Sequence, residues 1–361
     1  MLNSSEFLML QTMIVGSLPR PTWLAPSGQM YLNWNVEEAK LKEAQDDAVT
    51  LVIADQDEAG LDILTDGEQR RRHYISGFTD ELEGIDSSRL VKITTRGGRY
   101  GQSLVDAARV VGPVRRRGSI MRDAVRFLKT HTSKPIKVTL PGPMTTTDTL
   151  ADEFYGSRPK LAAALARQLN EEALELTEAG ADIIQFDEPC FNIYLDEVEE
   201  WGIRTLEDAA KGVRAKTAVH ICYGYGVPIV LNWKTKNTDW SHYHRTLPLL
   251  RTSTIKMISI ECAASGVDPA VVAEAKGKDV MVGVIDVGTE DVETPEAVAA
   301  RIRRFLPYIE PDHLYPCTDC GMIPRSRASA RGKMKALAAG AWLVRSDLVK
   351  ERQQGPLMGV R

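Results

Sequence analysis

The sequence predicts a (β/α)8 barrel with an insertion after the second strand, and three observations predict it. Eight short, apolar, β-branched runs, each closing on Gly, Asp or a turn, alternate with longer stretches of helical period. Some of these runs are apolar on both faces, the pattern of parallel strands covered on both sides. Nothing resembling GxGxxG follows the first run, so the open doubly wound alternative lacks its usual mark.

Thr12–Ser17 (TMIVGS) is the first run and Leu61–Gly67 (LDILTDG) the second, with Val36–Gly60 reading as the helix between them. The interval from Arg70 to Pro135 is too long for one helix. It holds two extra extended candidates, Leu90–Thr95 and Ala108–Val114, and residues 70–135 are therefore assigned as an insertion. The third and fourth runs are Ile136–Gly142 (IKVTLPG) and Asp182–Asp187 (DIIQFD). Between them, Lys160–Ala179 spaces Leu161, Ala164, Leu165, Leu169, Ala173 and Leu176 by threes and fours and then stops at Gly180. The ending Glu-Ala-Gly occurs at 58–60 and again at 178–180, each time as a helix stop feeding a strand. Thr217–Tyr223 (TAVHICY), Lys256–Glu261 (KMISIE), Val280–Asp286 (VMVGVID) and Leu314–Cys320 (LYPCTDC) complete the eight. Pro295–Leu306 is a helix whose first-turn proline follows the cap residue Thr294. No linker, repeat or low-complexity tract divides the chain, so residues 1–361 are expected to form one barrel domain.

With 361 residues, 43% apolar and 26% charged, the composition is that of a globular protein and excludes disorder and fibre. Lys+Arg 45 against Asp+Glu 49 leaves a net charge of −4, without the basic footprint of a nucleic-acid or membrane-surface binder. Mean hydropathy is −0.22, and no run approaches the ~20 apolar residues of a membrane span. Five cysteines are too few and odd in number for a disulfide framework, which points to a reducing cytoplasm. The apolar stretch Phe7–Leu10 with Met13–Leu18 imitates a signal peptide, but no basic residue precedes it and Gln11 and Thr12 interrupt it.

In a barrel of this kind chemistry sits at the carboxyl ends of the strands. The last residues of the runs are Gly16-Ser17, Asp66-Gly67-Glu68, Pro141-Gly142-Pro143, Asp187-Glu188, His220 and Cys222, Glu261-Cys262, Asp286, and Cys317 with Cys320. Ionisable and thiol groups thus crowd one end. Alternation on a strand puts His220 and Cys222 on one side with Ile221 on the other. Alone, the triplet describes a buried histidine and an inert thiol as well as it describes a metal site. With Glu261 and Cys320 added, N, S and O donors from different strands converge in the pattern of a catalytic zinc site. Cys317 and Cys190 are assigned to the core, Cys317 on the parity argument that it faces away if Cys320 faces the axis. Glu68 and Asp187 suit either general acid–base work on a glycoside or charge-assisted binding of an amino group. His73, His131, His242, His244 and His313 read as surface or capping residues, and the runs Arg70–Arg72 and Arg115–Arg117 as solvated faces.

Taken in order, Val15-Gly16-Ser17, Asp66-Gly67-Glu68, Gly142-Pro143-Met144-Thr145, Asp187-Glu188-Pro189, His220-Ile221-Cys222-Tyr223, Ile260-Glu261 and Asp319-Cys320-Gly321 resemble the catalytic half of cobalamin-independent methionine synthase, over roughly Met13 to Leu348. The resemblance implies a zinc-dependent methyltransferase that forms methionine by methyl transfer to the zinc-bound thiolate of homocysteine. It implies His220, Cys222, Glu261 and Cys320 as zinc ligands, and Val15, Gly16 and Ser17 with Glu68 and Asp187 as the holders of the carboxylate and amino groups. Two positions depart from the family pattern. Thr149 stands where full-length members stack a tryptophan on the folate pterin, and Gly288 where they place a proton-donating histidine. Full-length members also carry a second, amino-terminal barrel. The chain resembles a short, core form, whose methyl donor is a methylated corrinoid protein, another small molecule or folate bound differently. The alternative is a thiol alkyltransferase of the epoxyalkane:coenzyme M type; coenzyme M has neither ammonium nor carboxylate, so two acids favour an amino-acid thiol. A homo-oligomer is compatible with the sequence, which names neither the donor nor any protein partner.

Overall fold

The computed structural model describes residues 9–29, 32–101, 104–237 and 239–354; Phe7 and Leu8 of the amino-terminal apolar stretch lie outside them. The chain is an α/β fold organised on a parallel sheet of six strands. In chain order, β1 (Leu82–Ile93), β2 (Val105–Arg116) and β4 (Ala151–Asp152) form a small separate sheet. The strands β3 (Lys137–Pro141), β5 (Ile183–Asp187), β6 (Lys216–Ile221), β7 (Met257–Ile260), β8 (Asp279–Ile285) and β9 (Leu314–Thr318) pair in sequence as the main sheet.

The last six predicted runs are these six strands. The first two are not regular strands, and the ladder does not close on itself. Residues 12–17 and 61–65 instead occupy the gap through isolated bonds. Met13 N–H reaches Pro316 O (3.4 Å), Ile63 N–H reaches Thr12 O (3.1 Å) and Lys137 N–H reaches Leu64 O (2.8 Å), where Leu64 forms a single bridge with Ile136. Side chains finish what the backbone leaves open: Val15 N–H donates to Thr318 Oγ1, and Thr12 N–H to Asp62 Oδ2. Alternation divides the apolar residues into two sets. Met13, Val15, Ile63, Ile183, Ala218, Met257, Met281, Tyr315 and Cys317 fill the inside, while Ile14, Leu64, Val138, Ile184, Val219, Ile258 and Val280 meet the helices.

The helices follow the periodicity. Glu38–Ala59 ends on Gly60 at φ +85°, Arg158–Glu178 is followed by Gly180 at φ +109°, and Thr294 Oγ1 accepts from Ala297 N–H to cap Pro295–Arg303. The insertion is an antiparallel hairpin, β1 with β2, longer than either extended candidate, followed by the helix Arg122–Thr130. The hairpin folds back over the carboxyl ends of the main strands. At its tip Arg96 pairs with Asp148 (3.0 Å), Gly97 N–H donates to Tyr194 Oη (2.7 Å) and Tyr100 Oη donates to Tyr223 O (2.8 Å).

Candidate metal centre and active site

His220 is the last inward residue of β6, and Cys222 follows where the strand ends. Cys320 lies just beyond β9. Their ligand atoms all fall within 4.8 Å of one another, and the two sulfurs are 3.7 Å apart as free thiols. His220 Nδ1 is 2.8 Å from Ser259 Oγ, which is opposite it in the β6–β7 register. Its Nε2 is buried and, among the described residues, has no hydrogen-bond partner. In the tautomer where Nδ1–H donates to Ser259, the Nε2 lone pair is left for a metal. The Cys222 thiol is driven far below the ordinary range, first by its hydrogen bond with Cys320 and then, against burial, by His220. The same contact, with burial, pushes the ionisation of Cys320 up. An orphaned imidazole nitrogen facing two buried thiols fits a borderline-soft cation such as zinc.

Glu261 is not drawn into that cluster. It is completely buried, with Oε1 2.6 Å from Lys234 Nζ and Oε2 accepting from Tyr223 N–H at 3.0 Å. Burial raises its carboxyl pKa despite the lysine. Lys234 ends the helix Pro228–Lys234, in the segment between the histidine and the glutamate.

A cavity of about 730 Å³ opens onto the three metal-type ligands. Val15, Gly16, Ser17, Glu68 and Asp187 line its floor, and hairpin residues Leu90, Arg96, Tyr100 and Leu104 form part of its outer wall. Glu68 sits at φ +56°, a left-handed conformation that turns its carboxylate inward, where Oε1 accepts from Thr139 Oγ1 at 2.9 Å. Asp187 closes β5; its Oδ1 accepts from Gln185 Nε2 at 2.7 Å, and burial pushes its pKa up. Ser17 Oγ is buried and has no hydrogen-bond partner among the described residues. A Cβ at Gly321 would lie 2.1 Å from that hydroxyl, and one at Gly16 would lie 2.8 Å from Glu68 Oε1, so both backbones approach the floor as only glycine allows.

The family profile described as cobalamin-independent synthase, catalytic domain, matches residues 10–341. The chain belongs to this family. It is therefore an enzyme of the methyltransferase class, within the methionine synthases. The methionine synthase of Sulfurisphaera tokodaii is 31% identical over 344 residues, covering 95% of each chain. That of Sulfolobus acidocaldarius is 30% identical over 349 residues, covering 96% of each. Among solved structures, a B12-independent methionine synthase from Shewanella sp. W3-18-1 in complex with selenomethionine superposes with a TM-score of 0.92 at 45% identity, over 95% of this chain and 100% of that one. A methyltransferase from Methanosarcina mazei shares the fold alone, with a TM-score of 0.62 at 14% identity over 94% of each chain.

Several residues that shape this synthase-family site carry no ligand pattern in the sequence. Ser259 is one. Glu188 and Asp319 are two more, each next to a candidate residue. Glu188 accepts N–H bonds from Met144 and Thr145 (both 2.8 Å), and burial pushes its pKa up to about 7. Asp319 accepts from the N–H groups of Cys262, Ala263 and Ala264, fixing the loop behind Glu261. Their presence inside the motifs Asp187-Glu188-Pro189 and Asp319-Cys320-Gly321 was the available signal. Three expectations change. His73 is buried rather than on the surface, lining the cavity together with hairpin residues Leu90 and Arg96. Arg71 and Arg116 are not solvated: Arg71 donates to Thr139 Oγ1 (3.0 Å), and Arg116 bonds Glu172 and Glu175. Cys317 is core as expected but faces the barrel interior, since β9 ends at Thr318 and parity does not carry through the turn to Cys320.

Proposed function

We propose that this enzyme transfers a methyl group to the thiol of homocysteine, forming methionine, with zinc held by His220, Cys222 and Cys320. Glu261 is the proposed fourth ligand, its Oε1 also paired with Lys234. The observation that carries the reading is the partnerless His220 Nε2 beside two thiols, on the wall of the cavity whose floor holds Glu68 and Asp187. Zinc at this place supplies a Lewis acid that keeps a thiol of pKa about 8.5 deprotonated at neutral pH. The chain's own groups do the rest. Glu68 and Asp187 take the α-ammonium group by charge-assisted hydrogen bonds, and the Gly16-Ser17 turn with the free Ser17 hydroxyl takes the carboxylate. So held, the thiol is brought to the side of the cavity lined by His220, Cys222 and Cys320. A new S–CH3 bond forms, the donor leaves with the electron pair of its broken methyl bond, and the thiol proton goes to solvent.

The donor is non-folate or atypical in this reading: Thr149 lines the cavity where a stacking tryptophan would be needed. A methylated corrinoid protein or another partner-delivered methyl group meets the same opening. Residues 1–361 act as one catalytic domain, with 70–135 as its insertion, in a reducing cytoplasm that keeps all five thiols free. A sulfonate thiol of the coenzyme M kind brings no ammonium group to Asp187 or to Glu68, which faces the Arg71 guanidinium at 3.9 Å.

Metal analysis combined with homocysteine titration tests the proposal. Purified protein is expected to hold about one zinc per chain and to release about one proton on binding homocysteine. Protein without zinc, or binding without proton release, overturns it.

A further inference from the structure

Lys137 is completely buried beneath the cavity floor, on the inward face of β3, and the methyl-transfer chemistry does not use it. Its ammonium group donates to Val15 O at 2.6 Å and to Gln185 Oε1. Burial lowers its pKa, so the charge is held at a cost that an apolar residue would avoid. What the charge accomplishes is orientation. An ammonium group can only donate, so it must take the oxygen end of the Gln185 amide. The NH2 end is thereby turned to Val15 O (3.0 Å) and to Asp187 Oδ1 (2.7 Å). One buried cation therefore fixes both the turn leading into Gly16-Ser17 and the carboxylate of Asp187.

We infer that Lys137 is a positioning residue for the amino-acid end of the substrate, acting through Gln185 and Val15 to set the preference for a thiol that carries an α-ammonium group. The inference rests on the homocysteine reading above. A tie that merely holds two strands together would not distinguish between substrates, whereas this one terminates on Asp187 and on the Gly16-Ser17 turn.

The experiment compares calorimetric binding of homocysteine and of 4-mercaptobutanoate, which lacks only the amino group, to zinc-loaded protein. Wild type is expected to bind homocysteine at least about tenfold more tightly, the scale of a lost hydrogen bond between charged groups. In Lys137→Met that ratio falls to within about twofold with zinc content nearly unchanged, homocysteine losing more affinity than 4-mercaptobutanoate, which shares only the carboxylate held at the Gly16-Ser17 turn. Gln185→Leu breaks the relay at its other end and is expected to do the same. It decides the matter should Lys137→Met fail to fold. Retention of the wild-type ratio in the folded variants, or equal weakening of both thiols, overturns the inference. Absence of any preference in the wild type overturns the homocysteine reading itself.

Discussion

His220 and Ser259 show how the metal-type site is set residue by residue. His220 and Cys222 are legible in sequence because a strand period of two brings them to one side. Ser259 is not, because nothing local says which residue of β7 stands opposite His220; only the register of β6 on β7 does. Ser259→Ala is expected to weaken metal binding about 10- to 100-fold by freeing the imbalance between the two ring nitrogens, measured by competition with a chelator. An unchanged affinity would mean that Ser259 does not set the tautomer. Glu261 marks the opposite limit. Its position at the end of β7 was plain, but its salt bridge depends on Lys234, 27 residues away on a separate helix. Lys234→Met is expected to leave the carboxylate without its cation and to change metal stoichiometry or affinity, read by the same chelator competition.

At the scale of elements, the insertion hairpin is the part the sequence outlined least well. β1 reads LEGIDSSRLVKI and has a single buried residue, so its apolar alternation is weak and its ends are set by pairing with β2. The hairpin is fastened at its tip. Arg96 adopts φ +54° and places its guanidinium among Asp148, Tyr74 and Cys190, with Tyr194 Oη and Arg158 on the other side of Asp148. Arg96→Met strands the Asp148 carboxylate, 1% exposed, without its closest cation. Asp148 keeps Tyr194 Oη and Arg158, so the cost falls below the about 3–5 kcal/mol of a buried charge left uncompensated. Faster amide hydrogen exchange across 82–116, with the exchange of β5 and β6 unchanged, is the expected result. Uniform acceleration in both regions would show that the hairpin and the main sheet open together.

For the whole molecule, acid stability reports how completely the hairpin covers the cavity. His73 is held neutral, its pKa lowered to about 3 by burial and then by the charges of Arg96 and Arg20. Because the folded value lies below the unfolded 6.5, the unfolded chain binds the extra proton between these limits. The contribution is complete above pH 6.5 and is lost as pH falls toward 3, at up to about 1.4 kcal/mol per pH unit. His73→Asn should flatten the fall in urea-unfolding stability between pH 7 and pH 5 relative to wild type. Equal slopes would place His73 in contact with solvent.

The order of strand and helix, the stops at Gly60 and Gly180, and the gathering of unusual residues at one strand end were determined by sequence alone, because each depends on local period and on backbone freedom. Tertiary structure alone decided the rest. Thr12–Ser17 has a strand's composition but holds its place through Thr318 and Asp62 side chains rather than a ladder. The arginine runs read as solvated faces, yet Arg71 and Arg116 reach buried partners on distant segments. Which acid meets a cation, which thiol meets an imidazole and which lysine lies beneath the floor are matters of register and of contacts between distant elements, and local periodicity contains no information about either.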